Sequence, residues 1–205
     1  YVALCKKDEQ LRLLIAGVIN RQTTLIQIDR YANGFTHGAE SSEWATDLTE
    51  MKPYVHERKW EIDSLCYPIR LAYQYWKVTS VFDQEWKKSM ALVLQTFKEQ
   101  QRKDGHGPYK FQRNTERQLD TLNNDGWGNP VNPVGLIVSS FRPSDDATTF
   151  GFLIPSNMFA VASLKQLAEI SNKVSGDSTF ASQSVASAGE VQAAIHRYAI
   201  ANQPK

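Results

Sequence analysis

Residues 126–157, GWGNPVNPVGLIVSSFRPSDDATTFGFLIPSN, combine features of a core element with those of a site. Pro130, Pro133, Pro143 and Pro155 each fix φ and remove a backbone donor, so neither one long helix nor a central strand can run through this stretch. The residues between and beside them that are too apolar to lie in water are Val134, Leu136, Ile137, Val138, Phe141, Phe150, Phe152, Leu153 and Ile154. We therefore predict an ordered loop that is pinned by its own buried side chains.

The polar part of this loop has two interpretations. Arg142, Asp145 and Asp146 lie in the run RPSDD, on the rim of the predicted loop. One interpretation is a proline turn with a helix cap and a solvated ion pair. The other is a catalytic carboxylate beside its orienting partner. The residue types alone leave both open.

Composition limits the classes of protein and partner. With 205 residues, of which 41% are hydrophobic, the chain can form one substantial core, as one domain or part of a larger one. A net charge of +1 gives no electrostatic reason to expect nucleic acid or an anionic membrane as a partner. No apolar run reaches the length of a membrane span. Cys5 and Cys66 are expected to be buried free thiols.

Hydrophobic periodicity predicts five helices. Four lie at about 8–28, 83–102, 156–175 and 177–201. The second in chain order follows the run 60–68 and ends at about residue 77. The first should bury Leu11, Leu14, Ile15, Val18, Ile19 and Ile26. Asp63 or Ser64 is expected to cap the second, which Pro68 allows to begin as late as Cys66. Asp83 is expected to cap the third and Ser156 the fourth.

The connections between these helices are long, aromatic and polar. Tyr31, Phe35, Trp44 and Tyr54 are candidates to wall a cleft. Helices joined alternately by long and short loops predict an all-α toroid of helical hairpins, without a strand pair. The loops 29–59, 102–126 and 128–155 should gather at one end and form the site.

The sequence lacks the motifs of several common kinds of catalytic site. Phosphate-binding, dinucleotide-binding, zinc-protease and nucleophile-elbow motifs are all absent. The four histidines are widely scattered, so we expect neither a metal site nor a cofactor. What remains is rich in carboxylates and aromatic rings, which is typical of glycoside hydrolysis.

Three runs resemble glycoside hydrolase family 125: WEIDSLCYPIRLAY (60–73), NPVGLIVSSFRPSDDATTF (132–150) and LIPSNMFA (153–160). The resemblance extends from about residue 17 to 170. It implies an (α/α)6 barrel and a metal-independent exo-α-1,6-mannosidase that inverts configuration. Its substrate would be an α-mannoside glycan, and its general acid would be Asp145 or Asp146. The implied substrate-binding candidates are Arg142, Ser144, Glu61, Asp63, Tyr67 and Thr148.

The sequence also departs from the family pattern. It contains neither the Trp-Leu-Arg-Asp motif of the family's N-terminal part nor the Glu motif that bears its general base. We therefore expect residues 1–205 to be the central part of one (α/α)6 catalytic domain, truncated at both ends and inactive alone. The alternatives are a non-catalytic helical module that binds a glycan or peptide, and a helical-repeat interaction protein. Glu61 is available as a second carboxylate, although Glu61 and Asp63 also fit a helix entrance.

Overall fold

The computed structural model describes residues 2–40, 42–79, 84–174 and 176–201. Its helices are α1 Glu9–Ile28, α2 Ile62–Thr79, α3 Gln84–Glu99, α4 Asn123–Gly126, α5 Ile154–Val174 and α6 Ser178–Tyr198, with 3-10 turns at Val2–Lys6 and Gln118–Asp120. Strands β1 Gly34–Phe35 and β2 Val55–Glu57 pair antiparallel. The all-α prediction is confirmed. The strand pair was missed because strands of two and three residues are too short to show alternation.

The five predicted long helices are present, and α4 is an addition. It is a tight turn in which Asn124 and Asp125 have φ values of 51° and 54°. Gly126 follows with φ at 90°, and a Cβ there would lie 2.9 Å from the carbonyl oxygen of Phe111. Only glycine therefore fits where this turn packs against the neighbouring loop.

The predicted start of α2 is wrong. The helix begins at Ile62, so Asp63 and Ser64 lie in its first turn and do not cap it. The Ile62 N–H is instead satisfied by the Ser139 hydroxyl, 3.2 Å away on another loop. Pro68 lies inside the helix, so tertiary packing outweighs the lost backbone donor.

The predicted cap of α5 is also wrong. Because α5 begins at Ile154, Ser156 lies within its first turn. By contrast, Asp177 caps α6 and accepts a hydrogen bond from the Phe180 N–H at 2.9 Å. The predicted cap of α3, Asp83, lies outside the described residues.

Burial on α1 follows the prediction only in part. Ile19 and Ile26 are buried, whereas Leu14 is 62% and Val18 38% exposed. The buried stripe is narrower than the sequence pattern because the elements that contact α1, namely α2, α3 and the 3-10 turn Val2–Lys6, leave Leu14 and Val18 uncovered. Both cysteines are buried and free, as predicted.

The predicted central loop is pinned by its own side chains. Leu136, Ile137, Val138 and Phe141 are buried, although Phe150 is 85% exposed and does not contribute. The buried side chain of Asn157 holds both backbone groups of Ile137, at 2.8 and 2.9 Å. This pairing fixes the loop to the first turn of α5.

Trp60 joins the long loops to one another. Its indole N–H donates to the Val138 carbonyl at 2.7 Å, and its backbone carbonyl accepts from the Phe141 N–H at 3.0 Å. Its backbone N–H donates to the Tyr109 hydroxyl at 3.0 Å. The loops 29–59, 102–126 and 128–155 therefore meet, as predicted.

The predicted aromatic wall needs correction. Tyr31 is buried and stacks on Tyr109 with ring centroids 5.1 Å apart, so it belongs to the core. Trp44 covers the guanidinium group of Arg113, which lies 3.7 Å from the ring centroid.

Candidate active site

Asp145 and Asp146 lie on a tight turn that sends their side chains to different neighbours. The Asp145 N–H donates to the Arg142 carbonyl, and the Arg142 N–H donates to the Asp146 carbonyl, both at 2.8 Å. Asp145 has a φ of 63°, a left-handed conformation that aspartate tolerates better than most residues. The two carboxylates are therefore adjacent in sequence but have different surroundings.

The Asp146 carboxylate is engaged by three groups, one from the loop 102–126 and two from its own loop. Arg117 donates to Oδ1 at 2.7 Å, and Arg142 donates to Oδ2 at 2.8 Å. The hydroxyl of Ser144 donates to the same Oδ2 at 3.1 Å. Arg142 and Ser144, both predicted to bind substrate, thus lie beside Asp146. These contacts hold the turn in shape.

The Asp145 carboxylate has one hydrogen bond within the described part of the chain. The donor is the Asn33 side-chain amide, 3.0 Å from Oδ1. The Asp145 backbone carbonyl accepts from Lys59 Nζ at 2.9 Å. Asp145 is exposed, so its second carboxylate oxygen is open to a ligand.

Glu61 and Asp63 lie near enough to Asp145 to interact with its charge. Burial, followed by the charges of Asp63 and Asp145, raises the pKa of Glu61 to about 8. Burial and the charge of Asp145 also raise the pKa of Asp63. The structure therefore brings together three of the predicted carboxylates, namely Asp145, Glu61 and Asp63.

Two oxygens of this group are buried without a hydrogen bond from any described residue. Glu61 is 6% and Asp63 7% exposed. Among the described residues nothing hydrogen-bonds Glu61 Oε1 or Asp63 Oδ1, although Ser64 donates to the other oxygen of Glu61 at 3.1 Å. A buried polar atom without a hydrogen bond destabilises the protein, so a ligand with hydroxyl groups would supply hydrogen bonds that these two oxygens lack.

The two remaining predicted residues, Thr148 and Tyr67, make contacts of their own. The Thr148 hydroxyl donates to the Ser139 carbonyl at 2.7 Å, within its own loop. Tyr67 is half-exposed on α2 and packs edge-on against Phe159, with ring centroids 5.0 Å apart. No hydrogen bond between either residue and the three carboxylates is present in the described residues.

A buried network of charges lies behind Asp145. Arg113 pairs with Asp47 through two hydrogen bonds of 2.8 and 2.7 Å and with Glu57 at 2.8 Å. The side chain of Lys59, 2% exposed, donates to Asp120 at 2.5 Å and lies 3.4 Å from Glu57. Burial alone would raise the pKa of Glu57, but hydrogen bonds from Asn33 and Arg113 lower it.

Sequence reasoning missed this network. Its members come from separate loops, and Arg113 lies 66 residues from Asp47 along the chain. One signal was available: Glu57 and Lys59 directly precede the run that begins at Trp60 and carries the family resemblance.

The raised pKa of Glu61 predicts a pH-dependent stability. The native protein holds this proton more tightly than the unfolded chain, whose carboxyl has the ordinary pKa of 4.5. The stabilisation is full below pH 4.5 and is lost as the pH rises through about 8. We expect the free energy of unfolding of Glu61→Gln, measured relative to that of the parent, to rise by roughly 2 to 4 kcal/mol between pH 5 and pH 9.

Urea unfolding at several pH values measures this difference. Glu116→Gln, at an exposed loop position, is the matched control for the glutamate-to-glutamine change itself. Any constant cost of the new amide in Glu61→Gln cancels from the slope. Parallel curves for Glu61→Gln and the parent would contradict the predicted ionisation.

The described residues form neither a metal-binding cluster nor a membrane-spanning helix. Across the described ranges, no group of three or more His, Cys, Asp or Glu side chains is arranged to hold a metal ion. Likewise, none of the described helices is both long and apolar enough to cross a bilayer.

The structure consists of helical hairpins whose long loops meet where the carboxylates Asp145, Glu61 and Asp63 lie. The model of glycoside hydrolase family 125, described as metal-independent alpha-mannosidase, matches residues 1–205. The chain therefore belongs to this family. The resemblance stated from the sequence is confirmed.

Two individual proteins show the extent of the similarity. A metal-independent alpha mannosidase from Streptococcus pneumoniae, solved as a non-productive complex with alpha-1,6-mannobiose, superposes with a TM-score of 0.93 and 38% identity, over 99% of this chain and 49% of that one. The Meiotically up-regulated gene 157 protein of Schizosaccharomyces pombe is 32% identical over all of this chain and 44% of its own length. This chain thus spans about half the length of each relative. The structural match also confirms the predicted architecture, part of an (α/α)6 barrel.

Proposed function

We propose that this protein removes terminal α-1,6-linked mannose from glycans by an inverting mechanism, with Asp145 as the general acid. Membership of the alpha-mannosidase family supports the reaction class. The solved relative was captured with alpha-1,6-mannobiose, which supports the linkage. One difference between the two aspartates carries the residue assignment: the charge of Asp145 acts on Glu61 and Asp63, whereas both oxygens of Asp146 are held by arginines.

The chemistry of the acid agrees with this choice. A general acid protonates the glycosidic oxygen while a base, on the opposite face of the sugar ring, takes a proton from the attacking water. Asp146 accepts hydrogen bonds from Arg117 and Arg142 on its two oxygens, so its carboxylate is engaged in holding the turn rather than in presenting a transferable proton. Asp145 has an oxygen free to carry it.

Glu61 does not suit the role of base. A general base must be ionised before it can take a proton, and the pKa of Glu61, about 8, keeps it protonated at neutral pH. Glu61 and Asp63 suit sugar recognition instead. A protonated carboxyl can both donate to and accept from adjacent sugar hydroxyls.

The test is hydrolysis of α-1,2-, α-1,3- and α-1,6-mannobiose by the full-length protein, with the first-formed mannose followed by proton NMR. We expect release from the α-1,6 isomer alone, and β-mannose as the first product. First-formed α-mannose would refute inversion. Calorimetric binding of the α-1,6 isomer without turnover would support a non-catalytic glycan-binding module.

A further inference from the structure

We propose that Asn33 is a positioning residue for Asp145, because it determines which carboxylate oxygen carries the transferable proton. The inference rests on the proposed function, in which Asp145 is the general acid. It concerns a residue on another loop, 112 positions away in sequence.

The orientation of the Asn33 amide is fixed by its neighbours. Its nitrogen donates to Glu57 Oε2 at 2.9 Å and to Asp145 Oδ1 at 3.0 Å. Its oxygen accepts from the Lys59 N–H at 3.0 Å. A flipped amide would direct its oxygen at two carboxylates and its hydrogens at an N–H donor. The donor side of Asn33 must therefore face Asp145.

This orientation makes the two oxygens of Asp145 unequal. An amide N–H donates only to an oxygen with a free lone pair in that direction, so Oδ1 is occupied as an acceptor. Oδ2 has no hydrogen bond within the described part of the chain. The acidic proton of Asp145 is therefore placed on Oδ2, and the carboxyl presents one reactive oxygen.

The residues behind Asn33 hold it in place. Glu57 accepts from Asn33 and from Arg113, and the buried Lys59 lies 3.4 Å from the same carboxylate. Lys59 also binds the Asp145 backbone carbonyl. The segment containing Glu57 and Lys59 thus fixes both the backbone of Asp145 and, through Asn33, its side chain. Among the described residues, Lys59 contacts the Asp145 backbone, and Glu61 and Asp63 from α2 interact with the charge of Asp145.

A purely structural role for Asn33 makes a different prediction. If Asn33 only tied two loops together, its loss would lower the rate on every substrate by a similar factor. If it acts through the proton on Asp145, the loss should depend on how much protonation the leaving group needs.

The experiment compares Asn33→Ala, Asp145→Asn and the double variant in the full-length protein, with Asn132→Ala, at an exposed loop asparagine, as the control. Each is assayed on α-1,6-mannobiose and on an aryl α-mannoside with a good leaving group. We expect Asn33→Ala to lower kcat/KM about 10- to 100-fold on the disaccharide and less than about threefold on the aryl mannoside. The double variant should match Asp145→Asn, because a positioning residue has no effect once its acid is gone.

The experiment distinguishes an error in the role of Asp145 from an error in the role of Asn33. If Asp145→Asn lacks leaving-group dependence, Asp145 is not the acid and both proposals are overturned. If Asp145→Asn shows it but Asn33→Ala loses equally on both substrates, or the losses add in the double variant, only the role of Asn33 is overturned. Thermal unfolding checks each variant. Should Asn33→Ala not fold, Asn33→Ser, which is too short to reach both carboxylates, takes its place with the same expected pattern.

Discussion

Replacing Asp145 by Asn should lower kcat/KM for α-1,6-mannobiose by about 10²- to 10⁴-fold, the usual contribution of general acid catalysis. The amide keeps the shape of the side chain but has no transferable proton. An aryl α-mannoside with a good leaving group needs little protonation, so kcat/KM for this substrate should fall much less. Steady-state kinetics of the full-length protein on both substrates measures the difference.

Asp146→Asn is the matched comparison because it makes the same chemical change one residue away. It weakens the contacts with Arg117 and Arg142 that shape the turn, so we expect a similar loss on both substrates. Leaving-group dependence in Asp146→Asn, and its absence in Asp145→Asn, would reverse the assignment of the acid.

Replacing Arg113 by Met should destabilise the protein by about 3 to 5 kcal/mol, the usual cost of removing one partner from a buried ion pair. The Asp47 side chain is 2% exposed and would lose the guanidinium that holds both of its oxygens. Glu57 would lose a hydrogen bond at the same time. The stem of methionine keeps part of the packing against Trp44, so the loss reports mainly on charge.

Urea unfolding at neutral pH measures this effect, and Arg12→Met provides the control. Arg12 pairs with Glu9 on the exposed surface of α1, where an ion pair contributes about 0.5 kcal/mol or less. Arg113→Met combined with Asp47→Asn should recover part of the stability, since the unpaired buried charge is then absent. Equal losses for Arg113→Met and Arg12→Met would contradict the argument.

The features predicted from the sequence are those that local patterns determine. The prolines and apolar residues of 126–157 correctly indicated a loop pinned by Leu136, Ile137 and Phe141. Helical periodicity identified the five long helices, because it is repeated over several turns of each.

The features that were missed depend on contacts between distant segments. The start of α2 is set by Ser139, 77 residues away, which satisfies the first N–H of the helix. Leu14 fits the apolar stripe of α1 in sequence but lies on a side that no described element covers. The difference between Asp145 and Asp146 arises from Asn33 and Arg117, which belong to other loops. Sequence spacing contains no information on such pairings.

The contacts of Trp60 have a consequence for the order of folding. Its hydrogen bonds reach residues 49 and 78 positions away, whereas α5 and α6 form a hairpin across a three-residue connection. Local contacts form first, because bringing distant residues together costs loop-closure entropy before it is repaid. The helical hairpin can therefore form early, and the carboxylate site is completed by the last, longest-range contacts. A partly unfolded molecule would retain most of its helical content after it had lost the geometry of the site.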